Sequence, residues 1–347
     1  MRRVFGKAIG TIAALSMAAA HAAPPSHPEI VFESYSPLAT NRELLARTVT
    51  PLIAKRLGAE LAKSPAALDA QSIDLAQERF KVYVPEGPAP AGGYGLLVFV
   101  APWDQTGIPA LWVSVLDHRG VIAVTAGRSG NEENVIGRRI PLALAGYENV
   151  KRRYPLNPER VYVGGFSGGS RVALRMALAF PDVFRGALLN SGSDPIGTLD
   201  VPLPSAALFT MFETRTRLVY VTGTEDEGAA ASDRRSVHSV HDICVSDPAV
   251  MPMRNGGHEP ADAQTLARAI TELDAPTKAD PDLERCRARR HEDLARQLAN
   301  AGKLIDAGKL EDAGKALIEI DAHYGGLAAP ESIDLVDKLR PRGVNLH

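Results

Sequence analysis

A serine set between paired glycines has the clearest chemical potential in this chain of 347 residues. The segment Gly165-Phe166-Ser167-Gly168-Gly169 fits the G-x-S-x-G pattern, and it lies between an apolar run and a helical pattern. In that context the pattern is typical of a nucleophilic serine, which a tight strand-to-helix turn exposes above a sheet edge. The sequence therefore predicts Ser167 as a nucleophile, with the Gly168 N–H as one donor to a developing oxyanion.

The same glycines have an alternative interpretation as a phosphate-binding loop. The pairs Gly164-Gly165 and Gly168-Gly169 also make a permissive backbone. However, the lysine of a P-loop is absent, and the G-x-G-x-x-G spacing is not met from either Gly164 or Gly165. The strand-turn-helix context favours the nucleophile.

A serine hydroxyl needs a base to take its proton, and an acid to orient that base. In hydrolases with this serine turn, the acid and then the histidine follow the nucleophile in chain order. Asp226 comes just after an apolar run and is the candidate acid, with its neighbours Glu225 and Glu227 as alternatives. His258 follows Gly256-Gly257, directly after the last apolar run, and is the candidate base.

Two other histidines, His238 and His241, are three residues apart on a predicted helix. They can share one face and bind a metal, but no third ligand is evident, and a solvated helix face is the simpler interpretation. We predict neither a metal nor a cofactor.

The loop after the second apolar strand is expected to supply the other oxyanion donor. Either Trp103 or Asp104 provides that N–H, and Trp103 is our choice. A carboxylate at residue 104 would oppose an oxyanion unless it points away, whereas Trp103 either stacks on substrate or fills the core. We expect Trp103, Asp104 and Phe166 to contact the substrate.

Seven short apolar runs alternate with helical patterns over some two hundred residues. This order is typical of an α/β fold with a mostly parallel central sheet and helices on both faces. The predicted strands begin at Phe80, Gly95, Val121, Val161, Ala187, Leu218 and Val250, and the helices between them include Ala110–His118, Asn134–Arg153, Gly168–Phe180 and Ala261–Leu273.

The chain divides on this interpretation into five parts. Residues 1–23 form a signal peptide, 24–79 an N-terminal extension with a helix over Asn41–Leu57 capped by Asn41, and 80–273 the catalytic domain. Residues 274–283 are a linker rich in Pro and Asp, and 284–347 form a helical appendage. We expect the appendage to pack on the main domain, since a single hairpin repeat cannot stand alone.

The N-terminus predicts export to the periplasm or the medium. Arg2, Arg3 and Lys7 precede a short apolar run, and Ala20-His21-Ala22 resembles a cleavage site. No later stretch is long and apolar enough to predict a membrane span. Export makes Cys244 and Cys286 a plausible disulfide pair, with two separate thiols as the alternative.

Composition excludes several classes of protein. Hydrophobic residues make up 45% and charged residues 23%, which argues against disorder and coiled coil. Lys and Arg number 39 against 41 Asp and Glu, a balance of −2. Such a chain lacks the cationic excess that phosphate neutralisation needs, so nucleic acid is not an expected partner.

The region from Phe80 to Leu273 resembles the α/β-hydrolase superfamily, and within it the secreted esterases of the polyhydroxybutyrate-depolymerase and feruloyl-esterase type. The likeness lies in Arg160–Ser167, in Phe180–Phe184, in the turn Gly223–Asp226 and in Gly256-Gly257-His258. It implies an eight-stranded type of sheet, a Ser-Asp-His triad and no cofactor. The chain departs from these esterases in the oxyanion loop, where Pro102-Trp103 replaces a frequent His-Gly pair.

Together these observations predict an exported serine hydrolase that cleaves a small or polymeric carboxylic ester through an acyl-enzyme intermediate. Two alternatives remain open at this point. The same triad can cleave a peptide or amide bond, because the serine turn does not discriminate between leaving groups. A hydrolase-like fold can also serve as a binding or scaffold protein.

Overall fold

A computed structural model describes residues 28–245, 248–277 and 281–343 of the chain. Seven strands form one sheet in the order β1-β3-β2-β4-β5-β6-β7. The strands are β1 (Phe80–Tyr83), β2 (Tyr94–Val100), β3 (Val121–Ala126), β4 (Leu156–Phe166), β5 (Gly186–Asn190), β6 (Arg217–Gly223) and β7 (Ala249–Met253). Only β1 runs antiparallel to its neighbour, β3; all the other pairs are parallel.

The mostly parallel α/β sheet with helices on both faces is confirmed. The twelve α-helices of the described residues are α1 (Asn41–Thr48), α2 (Pro51–Leu61), α3 (Pro65–Leu68), α4 (Val113–Arg119), α5 (Ile140–Arg153), α6 (Gly168–Ala179), α7 (Ala206–Arg215), α8 (Glu227–Asp242), α9 (Ala263–Asp274), α10 (Leu283–Asp306), α11 (Leu310–Tyr324) and α12 (Glu331–Leu339). Helices α5, α6 and α8 cover one face, and α4 and α9 cover the other.

Burial explains why the central strands read as continuous apolar runs. Every residue of β2 and of β3 is buried, because helices cover both sides of the sheet. All seven predicted strands are present, and β4 begins earlier than expected, at Leu156. The sheet therefore has seven strands within the described residues, where the resemblance implied an eight-stranded type.

Two helical predictions need correction. The single helix expected over Asn41–Leu57 is two helices, because Pro51 lacks the N–H that a continuous helix would use. Thr40, rather than Asn41, caps the first of them, and its hydroxyl accepts from the Glu43 N–H. Similarly, the helix expected from Asn134 starts with one π-helical turn, and its regular part begins only at Ile140.

The C-terminal helices have their own core and several polar contacts with the main domain. The buried carboxylate of Glu213 on α7 accepts from Arg287 and Arg290 of α10, at 3.2 and 2.6 Å. The Leu52 N–H of α2 donates to Asp321 of α11. The proposed linker is shorter than expected at its first residue, since Asp274 belongs to α9.

A backbone contact joins the C-terminal helices to the loop that precedes α7. The Gly326 N–H donates to the Leu203 carbonyl at 2.8 Å. A Cβ on the neighbouring Gly325 would lie 2.5 Å from the same oxygen, so glycine is needed for this close approach. The C-terminal helices thus support the loop before α7 directly.

Cys244 and Cys286 form a disulfide, as the sequence predicted. Cys244 follows α8 in the main domain, whereas Cys286 lies in the first turn of α10. The bond therefore ties the C-terminal helices to the main domain. The predicted signal peptide, residues 1–23, lies outside the described residues.

Replacing both cysteines, Cys244→Ser with Cys286→Ser, is expected to lower the free energy of unfolding by about 4 kcal/mol. The bond closes a loop over a separation of 42 residues, and opening it returns that loop-closure entropy to the unfolded chain. Denaturant unfolding measures the change. Reductant should destabilise the parent protein and leave the double variant unaffected. Two titratable thiols in the denatured, unreduced parent would contradict the prediction.

Candidate active site

The serine turn joins β4 to α6 in a backbone conformation that few residues adopt. Ser167 has φ +54° and ψ −122°. Its N–H donates to the Asn190 carbonyl at 2.8 Å, and its own carbonyl accepts from the Ser170 N–H at 2.9 Å. Such a conformation costs on the order of 1–3 kcal/mol and persists only where the surroundings hold it.

The glycines around Ser167 are required by close contacts between backbones. A Cβ on Gly165 would lie 2.1 Å from the Gly169 carbonyl oxygen, and a Cβ on Gly169 would lie 1.9 Å from that of Val100. Both distances are far inside van der Waals contact. Helix α6 can therefore start directly against β2 and β4 only because neither position carries a side chain.

The predicted acid and base lie beside this serine. His258 Nε2 is 2.9 Å from Ser167 Oγ, and His258 Nδ1 is 2.6 Å from Asp226 Oδ2. The other carboxylate oxygen of Asp226 accepts from the Ala229 N–H and caps α8. The three side chains come from turns after β4, β6 and β7, which end at the same sheet edge.

The imidazole is open to solvent while the acid is shielded. The His258 side chain is 50% exposed, whereas that of Asp226 is 11% exposed. The ring of Phe166 lies against the imidazole, with centroids 4.9 Å apart. Molecules in solution can therefore reach the imidazole, while the Asp226 carboxylate is shielded behind it.

Of the alternative acids, neither contacts His258. Glu225 uses its backbone N–H to bond the Gly256 carbonyl at 2.9 Å, and Glu227 is the first residue of α8. A Cβ on Gly223 would lie 2.2 Å from that same Gly256 oxygen. This close contact holds the acid turn and the histidine loop side by side.

The predicted oxyanion loop packs against the serine turn through aromatic side chains. The ring of Trp103 lies 6.1 Å from that of Phe166 and 6.4 Å from that of Phe99. Within the described residues, the N–H groups of Trp103 and Gly168 have no protein acceptor. Two unpaired donors thus accompany the serine, one in this loop and one at the N-terminus of α6.

The carboxylate of Asp104 is already engaged by protein. Its Oδ1 accepts from the Gly130 N–H at 2.9 Å, and the Asp104 carbonyl accepts from Arg128 N–H at 2.6 Å. The cavity beside Ser167 is lined by other residues. Asp104 therefore closes its own loop, and its contact with substrate stays a prediction, as do those of Trp103 and Phe166.

The sequence analysis did not identify three polar residues that hold the site together: Asn190 and Arg139, which are buried, and Asn131, which is exposed. Asn190, at the end of β5, accepts from the Ala261 N–H at 2.7 Å and so anchors the segment after His258. Asn131 donates its N–H to the Pro102 carbonyl, and its side chain occupies the space that a Cβ on Gly168 would need. A polar residue closing the apolar run of β5 was the only signal available for Asn190.

The third of these residues is Arg139, which is 3% exposed. Its guanidinium donates to the carbonyls of Ala101 at 3.0 Å and Gly168 at 3.4 Å, and its Nε has no partner in the described structure. Burial lowers the pKa of Arg139 to about 10, against the opposing effect of Asp104 and Glu133. A cation is thus buried under the serine turn.

The histidine pair on α8 lies on an exposed part of the helix. His238 Nε2 lies 3.4 Å from Asp242 Oδ2, and both side chains are largely exposed. Across the described ranges, no three His, Cys, Asp or Glu side chains form a potential metal cluster. Every helix in those ranges is also too short or too polar to cross a bilayer.

The chain matches no protein-family model and no curated protein. Among solved structures, it is similar to S-formylglutathione hydrolase from Staphylococcus aureus (14% identity, 57% of this chain, 93% of that chain, TM-score 0.44). It is also similar to the esterase Est2 from Thermogutta terrifontis (16%, 58%, 87%, TM-score 0.41). A third is a puromycin-hydrolysing peptidase of Mycobacterium tuberculosis (18%, 56%, 36%, TM-score 0.39).

The chain has an α/β-hydrolase fold. Its own architecture carries this assignment: a parallel sheet with one antiparallel edge strand, and a serine on the turn between β4 and α6. The acid and histidine turns follow in the chain order of that fold.

The buried Asp233 gives the stability of this region a pH dependence. Burial raises the pKa of Asp233 to about 6, although a hydrogen bond from Thr222 opposes the shift. In an unfolded chain the pKa is near 4, so folding takes up a proton between pH 4 and 6. Stability should fall as pH rises through that window, by roughly 3 kcal/mol, and then level off.

The variant Asp233→Asn removes this contribution and keeps an acceptor for Thr222. The parent loses roughly 3 kcal/mol of stability between pH 4 and pH 7 and the variant does not. The free energy of unfolding of the variant minus that of the parent should therefore rise by roughly 3 kcal/mol over this range. As a matched variant, Thr222→Val should shift the window to higher pH, because it removes the hydrogen bond that favours the carboxylate. A parent–variant difference that is flat with pH would contradict the assignment.

Proposed function

We propose that this protein is a serine hydrolase that cleaves carboxylic esters through an acyl-enzyme intermediate. The observation that carries the proposal is the chain of hydrogen bonds Ser167–His258–Asp226, at 2.9 and 2.6 Å, on a strained turn. A serine hydroxyl is inert in water until a positioned base accepts its proton. Here the base and its orienting acid are both in hydrogen-bonding contact.

The partners of His258 define its tautomer. A carboxylate can only accept hydrogen bonds, so the imidazole Nδ1 carries the proton that is donated to Asp226. In the neutral ring Nε2 is then free to accept from the Ser167 hydroxyl. Ser167 Oγ attacks the ester carbonyl carbon as its proton moves to Nε2, and Asp226 stabilises the imidazolium that forms.

The developing oxyanion needs donors that are fixed before the reaction. We assign this role to the N–H groups of Gly168 and Trp103. Neither N–H has a protein acceptor among the described residues, which supports the assignment. The N-terminus of α6 favours negative charge at Gly168. The buried cation of Arg139, bonded to the Gly168 carbonyl, adds to that preference.

The remaining steps are the departure of the alcohol and the hydrolysis of the acyl-enzyme, and both use His258. The imidazolium of His258 returns its proton to the leaving alkoxide, which departs as the alcohol. A water molecule then reaches the half-exposed ring, gives up a proton to Nε2 and attacks the acyl-enzyme carbonyl. As that second tetrahedral species collapses, the His258 imidazolium returns this proton to Ser167 Oγ, which leaves as the free hydroxyl, and the carboxylic acid is released. No cofactor takes part in this sequence.

The proposal includes export to the periplasm or the medium. The disulfide between Cys244 and Cys286 supports it, because such bonds persist in oxidising compartments. The N-terminal residues that led to the prediction lie outside the described residues.

Replacing the nucleophile, Ser167→Ala, is expected to lower kcat/KM for p-nitrophenyl esters by several orders of magnitude, on the order of 10³ or more. As a control, Ser205→Ala changes an exposed serine just before α7 and should hydrolyse these esters like the parent. An unaltered rate in Ser167→Ala would overturn the proposal. Matched p-nitroanilides, assayed in parallel, test the amidase alternative: a preference for the anilide would replace the ester assignment.

A further inference from the structure

A cavity of about 550 Å³ opens beside the nucleophile, between α6 and the loop that leads to α7. Its size lies within the roughly 300–1,000 Å³ range of ligand sites. The lining combines five charged side chains with three valines. Its charged side chains are Arg139, Arg171, Arg175, Asp194 and Asp200.

The three arginines differ in how their charges are balanced. Arg171 is the only one with an ion pair among the described residues, a 3.4 Å contact between its Nε and Asp194 Oδ1. Arg175, one turn further along α6, makes neither a hydrogen bond nor an ion pair there, although it is half-buried. Arg139 bonds only carbonyls, and its Nε has no partner.

The surroundings of Arg175 disfavour its charge. Burial lowers the pKa of its guanidinium, and Asp200 and Asp194 offset only part of that effect, without reaching it closely enough for an ion pair. A buried cation is costly when no partner is present. With two acids against three arginines, the cavity keeps a net positive charge of one, next to Ser167.

We propose that this cavity binds an anionic group, a carboxylate, on the ester substrate itself, with Arg175 as its main partner and Arg171 beside it. Residues four apart on a helix share a face, so both guanidinium groups reach the same space. The planar fork of arginine matches a carboxylate with two parallel hydrogen bonds. The inference rests on the proposed function, because it names the substrate class of that site.

Two pairs of esters test the inference, one for each side of the scissile bond. The first pair is mono-p-nitrophenyl adipate and its methyl ester, which place or remove a carboxylate on the acyl side. The second is m-carboxyphenyl acetate and its methyl ester, which do the same on the alcohol side. The parent protein should show kcat/KM higher for the anionic member by on the order of tenfold to a hundredfold in one pair.

The variant Arg175→Gln should lower that anionic-to-neutral ratio about tenfold, and Arg175→Lys should keep part of it. Arg56→Gln is the matched control, since Arg56 on α2 is exposed and outside the cavity; its ratio should equal that of the parent. If Arg175→Gln does not fold, the anionic-to-neutral ratio is measured with Arg171→Gln and Arg175→Lys instead.

A readout that needs no turnover separates this inference from the proposed function. Adipate should raise the Tm of the parent more than 1,6-hexanediol does, a neutral compound of the same length without an ester bond, and Arg175→Gln should remove the difference. Failure to hydrolyse any of the four esters would overturn the proposed function alone. A ratio at or below one in both pairs, an unchanged ratio in Arg175→Gln, or equal Tm shifts with adipate and 1,6-hexanediol would overturn the anionic site.

Discussion

The close packing of three backbones at the start of α6 is the constraint on which this structure depends. Gly165, Gly169 and Val100 approach one another more closely than any side chain would allow. That contact holds Ser167 at a positive φ, with its hydroxyl above the carboxyl ends of the parallel strands. The same sheet edge receives the acid turn after β6 and the histidine loop after β7. The strain at one residue is therefore offset by the packing of a whole sheet.

A small set of buried polar residues converts this edge into a rigid site. Asn190 accepts from the Ser167 N–H with its carbonyl and from the Ala261 N–H with its side chain, so it couples the serine turn to the segment after His258. Arg139 joins the Ala101 carbonyl of the oxyanion loop to the Gly168 carbonyl. Its buried charge also biases the neighbouring cavity toward anions. Positioning and electrostatics thus come from the same residue, and the C-terminal helices support the loop that closes the cavity on its far side.

Sequence patterns predicted those features of the molecule that depend on neighbouring residues in the chain. The serine turn, the apolar strands and the glycines before His258 each lie within a few neighbouring residues. Asn190 and Arg139 could not be found in this way, since their roles arise only when distant loops come together. The cap at Thr40 was misplaced by one residue because Asn41 is an equally good capping type. The sequence could not predict that Arg175 is unpaired either, because the partners of a side chain are determined only when the chain folds.

We propose that packing and hydrogen bonding make the hydroxyl of Ser167 nucleophilic. Covalent labelling with a fluorophosphonate, followed by peptide mapping, tests this most directly, because the probe reacts with an activated serine whatever the natural substrate is. We expect a single adduct on Ser167 in the parent protein and no adduct in His258→Ala. An unlabelled parent, or an adduct on a different serine, would contradict it.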